Sequence, residues 1–506
     1  MLINQYYTNG GSPFVNDADT DVYSVDRPVL ASYENGTVTL YSDVGIFAPR
    51  GLDNAFSGMG SLVTGLDQTN VPSGLGGNLS NMYSGDTAFN SAVIIPKGVT
   101  NASHICDGCE NWNAGVTIYN GQGSTLKNMA YAFRGVKTMR QTVSLPESVT
   151  DCTEIFANSR CNVTATIGGN AYRAFYNARE QNRPVTIHNG TVNMAEAFSN
   201  CSVFGQNITV PDSVTDMTGC YNRCSAITQS HIGNNVRKLN FAYNGCTRLA
   251  SVPDIIAVID AVSAFSYCTA LTAGKLSPTI INGQNMYASC NIATVTGATS
   301  QNGTANFDNA FASQRSASIN LTIGHVASAR NICTYARCGT INGNFDAINM
   351  DGAFSGAWAN TADIAFGSHV ASASNLFASC LNLNSPINLP GAAKLDNALR
   401  GCTNFNSPVT IPEGPQTLSN MLMGCVNFGQ DISLPSTIGL PVGSSGGIYG
   451  MLNRCDAMDG HTVTLHPSTP FTNGTRAVQE IMNYKGTNGQ TIQNITIIWN
   501  GNTWTT

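Results

Sequence analysis

The sequence predicts a repeat solenoid: parallel β-strands stacked in about 18 coils of ~23 residues, with non-repeating caps at both ends. Three observations predict it. A cysteine returns at near-constant spacing, with an aromatic or aliphatic residue three positions before it. A short alternating run of β-branched residues closed by proline recurs between cysteines, as in Val143-Ser144-Leu145-Pro146. Finally, only 11% of the 506 residues are charged while 42% are apolar and 50 are glycine. That composition supplies a core, against roughly 25% charge in an ordinary soluble domain, and it argues against charge-driven disorder.

The elements follow in chain order. Residues 1–50 lie outside the repeat. They carry Tyr6, Tyr7, Tyr23, Tyr33 and Tyr41 and alternate over Thr37–Tyr41, which reads as a small β cap or a docking segment. The opening Met1–Tyr7 has neither a basic n-region nor an apolar h-region, and no lipobox is seen. The expectation is a chain made in a cytoplasm without an export signal. Sixteen cysteines in such a chain are expected to be reduced thiols.

The repeat is expected over residues 51–460. We call the recurring cysteine position the slot. The spacing places slots at Met59, Asp86, Cys109, Val136, Ser159, Ala178, Cys201, Cys224, Cys246, Cys268, Cys290, Gln314, Cys338, Ala357, Cys380, Cys402, Cys425 and Cys455. Most steps are 22 to 24 residues. Apolar residues recur seven before the slot (Met194, Met217, Leu239, Leu395) and three after it (Phe204, Ile227, Leu249, Leu383). A small, soft residue returning once per coil reads as a buried ladder, in which serine would leave an under-satisfied hydroxyl. Each coil is read as a strand with a proline stop, a turn, and a compact turn or short helical stretch bearing Ala-Phe-x-x-Cys. Residues 461–506 end on Ile495–Asn502, a strand with an Asn-Gly turn, and read as the second cap.

The pattern Ile-x-Ile-Pro-x-x-Val-Thr…Ala-Phe-x-x-Cys-x-x-Leu resembles the BspA-like leucine-rich repeat. The Asn-Met variants at Asn193-Met194 and Asn285-Met286 resemble the related Mycoplasma surface-lipoprotein repeat. The resemblance implies leucine-rich-repeat curvature, a role in adhesion or surface recognition, and no catalytic residues.

Chemical motifs are sparse. His104-Ile105-Cys106-Asp107-Gly108-Cys109 has the C-x-x-C spacing of zinc and redox sites. Yet Cys109 is a slot and Cys106 stands where Phe usually does, so both read as core. Cys152 and Cys220 lie seven and four before their slots and Cys333 five before its own, while Cys161 has no register explanation. The seven histidines are scattered, and no phosphate loop, nucleophile elbow or dinucleotide fingerprint stands out. No catalytic, cofactor-binding or metal residue is therefore assigned, no cofactor is expected, and the chain reads as non-enzymatic.

Twenty-four basic against thirty acidic residues argue against nucleic acid as a partner, and no apolar run is long enough for membrane insertion. The function expected is a bacteriophage virion protein: a fibre, spike or decoration protein in the virion, docked to other virion proteins through residues 1–50. It would present a host surface protein or polysaccharide with the solenoid. The alternatives are a bacterial BspA-like adhesin at the cell surface and, further off, a polysaccharide-cleaving tailspike. Homo-oligomer formation is left open, since no heptad sets a copy number.

Overall fold

The computed structural model describes residues 77–438, 447–466 and 494–505, with the shorter pieces 2–3, 30–34, 37–41, 54, 56–58, 65–66 and 487–489. Tyr6, Tyr7, Tyr23 and the slot at Met59 lie outside the described residues. The chain divides into two compact units, Met1–Leu249 and Ala250–Thr506.

In the first unit the strand at Leu30–Glu34 pairs antiparallel with Leu2–Ile3 and Thr37–Tyr41. The latter pairs in parallel with Gly65–Leu66. Solenoid strands follow in parallel: Val93–Ile95 on Val116–Ile118, then Thr142–Ser144, Thr164–Ile167 and Val185–Ile187 side by side. Matching positions stack, so Val143 sits beside Ala165 and Ala165 beside Val185. Ile208 and Val210 point inward, yet the strand expected over Ile208-Thr209-Val210 forms no ladder.

The second unit carries a five-stranded parallel sheet: Ala273–Lys275, Thr294–Thr296, Ser318–Ser328, Thr340–Asn349 and Thr361–Phe366. Proline sets strand length. Ile387–Asn388, Val409–Thr410 and Ile432–Ser433 each stop just before Leu389-Pro390, Ile411-Pro412 or Leu434-Pro435. Proline cannot donate to the next ladder rung. The proline-free Ser318–Ser328 and Thr340–Asn349 instead run 11 and 10 residues, with a bulge between Ile323 and Val326. Parallel stacking continues past residue 460, through Thr462–Leu465 to Thr496–Trp499. The chain then reverses at Asn500-Gly501, both left-handed, into the antiparallel strand Asn502–Thr505.

The opposite side of each coil is where the expectation of a short helical stretch fails. Among the described residues the only helix is the 3₁₀ turn Asp456–Met458. What replaces it is a ladder of turns. Around the slot at Cys201, the N–H groups of Met194, Glu196, Phe198 and Asn200 donate to carbonyls of the next coil at 2.7–2.8 Å. The N–H groups between them, of Ala197, Ser199 and Cys201, donate within the coil to residues three earlier at 3.0–3.1 Å. A helix would keep all of these internal. Alternate export requires left-handed backbone twice per coil, at Glu196 (φ 53°) and Asn200 (φ 63°). The pattern repeats five and one residues before each slot, as at Asn285 and Ser289 or Asn397 and Gly401.

That register corrects one slot. Left-handed Asn331 and Tyr335, and the bond from Ala336 N to Cys333 O, place the slot at Ala336 rather than Cys338. The uneven steps of 24 and 19 residues become 22 and 21. Cys333 then stands three before its slot, the aromatic-column position that Cys106 holds in the first unit. Cys338 stands two after its slot, the position also held by Cys161.

One further column fixes where each turn begins. Eight before the slot, Asn101, Asn128, Asp151, Asn170, Asn193 and Asp216 form successive parallel bridges. Each side-chain oxygen accepts the N–H two residues on, as from Ala195 to Asn193 Oδ1 at 2.8 Å. In the second unit the Ser328 and Ser372 hydroxyls donate to Asp308 and Asp351 rather than accepting that N–H. There Asp308 and Asp351 of the preceding coil accept it instead, from Arg330 N at 2.8 Å and Ser374 N at 2.9 Å. We expect Asn193→Ala to cost about 1 kcal/mol of stability and Asn193→Asp almost nothing, read as the midpoint of urea unfolding. Equal losses in both would contradict the acceptor role.

Candidate recognition surface

All sixteen cysteines are buried free thiols. The slot thiols share one bond. Cys109, Cys201, Cys224, Cys246, Cys290, Cys380, Cys402, Cys425 and Cys455 each donate to the carbonyl three before the slot of the preceding coil, at 2.9–3.1 Å. Cys268 is equally buried at its slot. That carbonyl already accepts the slot N–H of its own coil, as Phe198 O does from Cys201 N, so the thiol supplies its second partner. Gln314 substitutes by the same logic. Its Nε2 donates to Tyr287 O at 2.6 Å, and its Oε1 accepts from Ile292 N. Where Ala178 brings no donor, Ser159 Oγ turns back to Phe156 O in its own coil at 2.6 Å. A hydroxyl therefore finds an acceptor at this position, against the expectation that serine would be under-satisfied.

The thiols are chemically quiet. Burial pushes Cys246 and Cys290 up to about 12 and Cys338 to about 11. Burial likewise raises Cys201, Cys224, Cys402 and Cys455. A thiol kept protonated is a poor nucleophile and a poor metal ligand. Cys106 is raised by burial and by its hydrogen bond to Cys109. Among the described residues no group of three or more His, Cys, Asp or Glu side chains is placed to hold a metal ion.

Beside the thiols runs an aromatic column. Phe133, Phe156, Phe175, Phe198, Tyr221 and Tyr243 stack at 4.9–5.7 Å between centroids. Cys106 interrupts it, and Trp112 lies parallel to Phe133 at 5.3 Å on that side.

The groups facing water are set by the same turns. Most residues five before the slot and many two before it reach solvent, although Ala157 and Ser199 are buried, and in the first unit they concentrate charge and aromatic surface. The Arg134 guanidinium makes a two-point contact with Asp107, at 2.9 and 2.7 Å. It also lies 3.7 Å from Glu154 and 4.8 Å from the Tyr131 ring centroid. His104 bonds Asp107 at 2.8 Å and stacks on Tyr131 at 4.5 Å. Glu154 is shared with Arg173 at 3.8 Å, and Arg173 makes a second fork with Glu196 at 3.0 and 3.2 Å. The Arg173 guanidinium also lies 5.0 Å from Tyr172 and 4.9 Å from Tyr176. Hydrogen bonds to Asp107 and Glu196 raise Arg134 and Arg173 further above their ordinary range, and burial raises Tyr172.

The result is a half-exposed strip of alternating donors, acceptors and aromatic faces at coil spacing, held rigid by forked ion pairs. The strip is hidden in the sequence because these residues are far apart along the chain. Listing the residues five before each slot (His104, Tyr131, Glu154, Arg173, Glu196) would have exposed the column.

Residues 161–272 and 194–318 match the BspA type leucine rich repeat region, in six copies. Residues 51–167 match a Mycoplasma protein family of unknown function. No curated protein matches the chain. Among solved structures, a leucine-rich repeat protein from Bacteroides ovatus ATCC 8483 is similar at 15% identity and TM-score 0.38, covering 81% of this chain and 94% of that one. A leucine rich cell surface protein from Faecalibacterium prausnitzii A2-165 is similar at 19% identity and TM-score 0.34, covering 57% of this chain and 86% of that one.

Two outcomes are expected of the thiols. Cys246→Ser stays within about 1 kcal/mol of the parent, because Tyr221 O accepts either group. Stability should also fall as pH rises from about 9 towards 12. Over that window the unfolded thiols ionise while Cys246 and Cys290, raised to about 12, do not. The unfolded state then binds fewer protons, which lowers the unfolding free energy by about 1.4 kcal/mol per pH unit for each such thiol. Urea titrations from pH 7 to 11 measure the slope.

Proposed function

We propose that this chain, whose residues 161–318 match BspA-type leucine-rich repeats, is a non-enzymatic recognition protein that presents its solenoid surface to a host surface protein or polysaccharide. The repeat matches support a surface adhesin-like repeat protein. The strip from His104 to Glu196 carries the reading. Its guanidinium and carboxylate pairs are locked by neighbours on adjacent coils, so a ligand meets an already ordered surface and little side-chain entropy is lost on binding. The low thiolate character of the buried cysteines adds to the non-enzymatic reading.

The finer proposal is that the protein is displayed on a bacteriophage particle as a fibre, spike or decoration protein, with residues 1–50 attached to other virion proteins. Its support is the low-charge surface chemistry rich in Gly, Asn, Ser and Thr, taken as analogy with fibre proteins. The cell-surface adhesin remains the second reading, favoured by the repeat family.

Peptide mass spectrometry on purified particles separates the two. Stoichiometric recovery in particles supports the virion placement. Recovery in the cell-envelope fraction alone overturns it in favour of the adhesin. Release of reducing ends from host polysaccharide by the purified protein would overturn the non-enzymatic reading.

A mutation tests the strip itself. Arg173 is about one-third exposed, so Arg173→Ala should change stability by less than about 1 kcal/mol, as partly screened ion pairs do. Binding to isolated host envelopes should fall at least tenfold. Unchanged envelope binding would remove the strip from the recognition surface.

A further inference from the structure

A second surface, in the unit Ala250–Thr506, is built differently. The residues just after the slots stack coil on coil. Arg337 N donates to Gln314 O at 2.7 Å and Trp358 N to Ala336 O at 2.8 Å. Register therefore places Arg315, Arg337 and Trp358 in one outward column, one ladder spacing of about 4.8 Å apart. All three are exposed, Trp358 at 58%.

The column is unusual in two ways. Arg315 and Arg337 are like charges on neighbouring rungs, an arrangement that repels. Neither has a carboxylate partner among the described residues; the Arg337 guanidinium instead lies 5.2 Å from the Trp358 ring centroid. In the first unit, Arg134 and Arg173 are both forked onto carboxylates.

The surroundings do not supply the missing anion. Lys275 is paired with Asp254 at 2.7 Å and Asp346 with His369 at 2.7 Å; between them, residues 276–345 hold three arginines, Arg315, Arg330 and Arg337, and one acid, Asp308. That acid accepts hydrogen bonds from Ser328 Oγ at 2.5 Å and Arg330 N at 2.8 Å.

Beside the column lies Tyr335, 66% exposed. Its ring lies across Gly356, where a Cβ would come within 2.6 Å of two ring carbons. Gly356 also has φ +67°, so the position both needs left-handed backbone and leaves room for the ring. Two exposed aromatic rings and two uncompensated guanidinia thus share one ledge.

We propose that this ledge binds an acidic polysaccharide through carboxylated pyranose rings. A pyranose presents an apolar C–H face, which suits Trp358 and Tyr335. Its carboxylate at the ring edge suits the planar fork of Arg337, with Arg315 one rung away for the next acidic sugar. A purely apolar partner would leave two guanidinia uncompensated. A simple anion would make no use of the exposed indole. The site is distinct from the His104–Glu196 strip.

The test uses the full chain and calorimetric titration with tetragalacturonate, its fully methyl-esterified form, and poly-L-glutamate. Tetragalacturonate should bind at least tenfold more tightly than its ester. Trp358→Ala should weaken it at least tenfold, and Arg337→Ala should erase the preference for acid over ester. Both side chains are exposed, so the variants should fold, which their unfolding midpoints check. Equal binding of acid and ester, no binding of either, or indifference to Trp358→Ala would overturn the proposal. So would poly-L-glutamate binding as tightly as the sugar acid, which would mark an acidic-peptide site. Failure here leaves the envelope binding of Arg173→Ala as a separate result, and the reverse also holds.

Discussion

Everything in this fold depends on how the turn side of each coil disposes of its N–H groups. Half of them leave the coil and bond to the next, and half close on the residue three back. A coil of about 23 residues has no independent core, so its backbone can be satisfied only by a neighbour. The exported bonds make the neighbour obligatory. They also force left-handed backbone at non-glycine residues such as Glu154, Arg173 and Tyr267. Each such residue carries local strain, offset by the inter-coil bond that its conformation permits. The slot follows from the same geometry: once the carbonyl three before it accepts its own coil's N–H, one lone pair faces the next coil, and a small donor fits there.

Cysteine meets that requirement better than its hydrophobic character alone explains. Ala357 stays small and apolar but gives up the donor, whereas Gln314 keeps the donor and adds an acceptor for Ile292 N. Such exchanges are possible because the ladder asks for one hydrogen bond at one place. The same economy governs the start of the turn, where Asp308 and Asp351 take over for Ser328 and Ser372 from one coil away. Side chains in a solenoid can compensate along the stack as readily as along the chain.

Much of this was legible in the sequence. The spacing of Cys201, Cys224, Cys246, Cys268 and Cys290 fixed the coil, and the alternation before Pro390, Pro412 and Pro435 placed short strands correctly. Two things resisted. The turn ladder resembles a helix in sequence, since Met194, Ala197, Phe198 and Cys201 sit at helical spacing; only backbone sign at Glu196 and Asn200 distinguishes them. At Cys338 residue identity points to the slot while register points two residues earlier. Cys338 is a buried cysteine like the others, but Asn331 and Tyr335 show that Ala336 occupies the rung. The outward strip was harder still, since Arg134, Glu154 and Arg173 become neighbours only when the coils are stacked in correct register.

The buried thiols carry a consequence for the life of the folded protein. While the coils stay closed, the thiols are shielded, and slot thiols such as Cys224 and Cys246 are shared between two coils. Once a stretch opens, several thiols from adjacent rungs are released together, at high local concentration and with lowered pKa. In an oxidising medium the oxidant would join them as intramolecular disulfides in registers that no folded coil can accept. Unfolding there would be a one-way event, so the durability of this protein outside a reducing cell is governed by how rarely its coils part rather than by the balance between folded and unfolded chains.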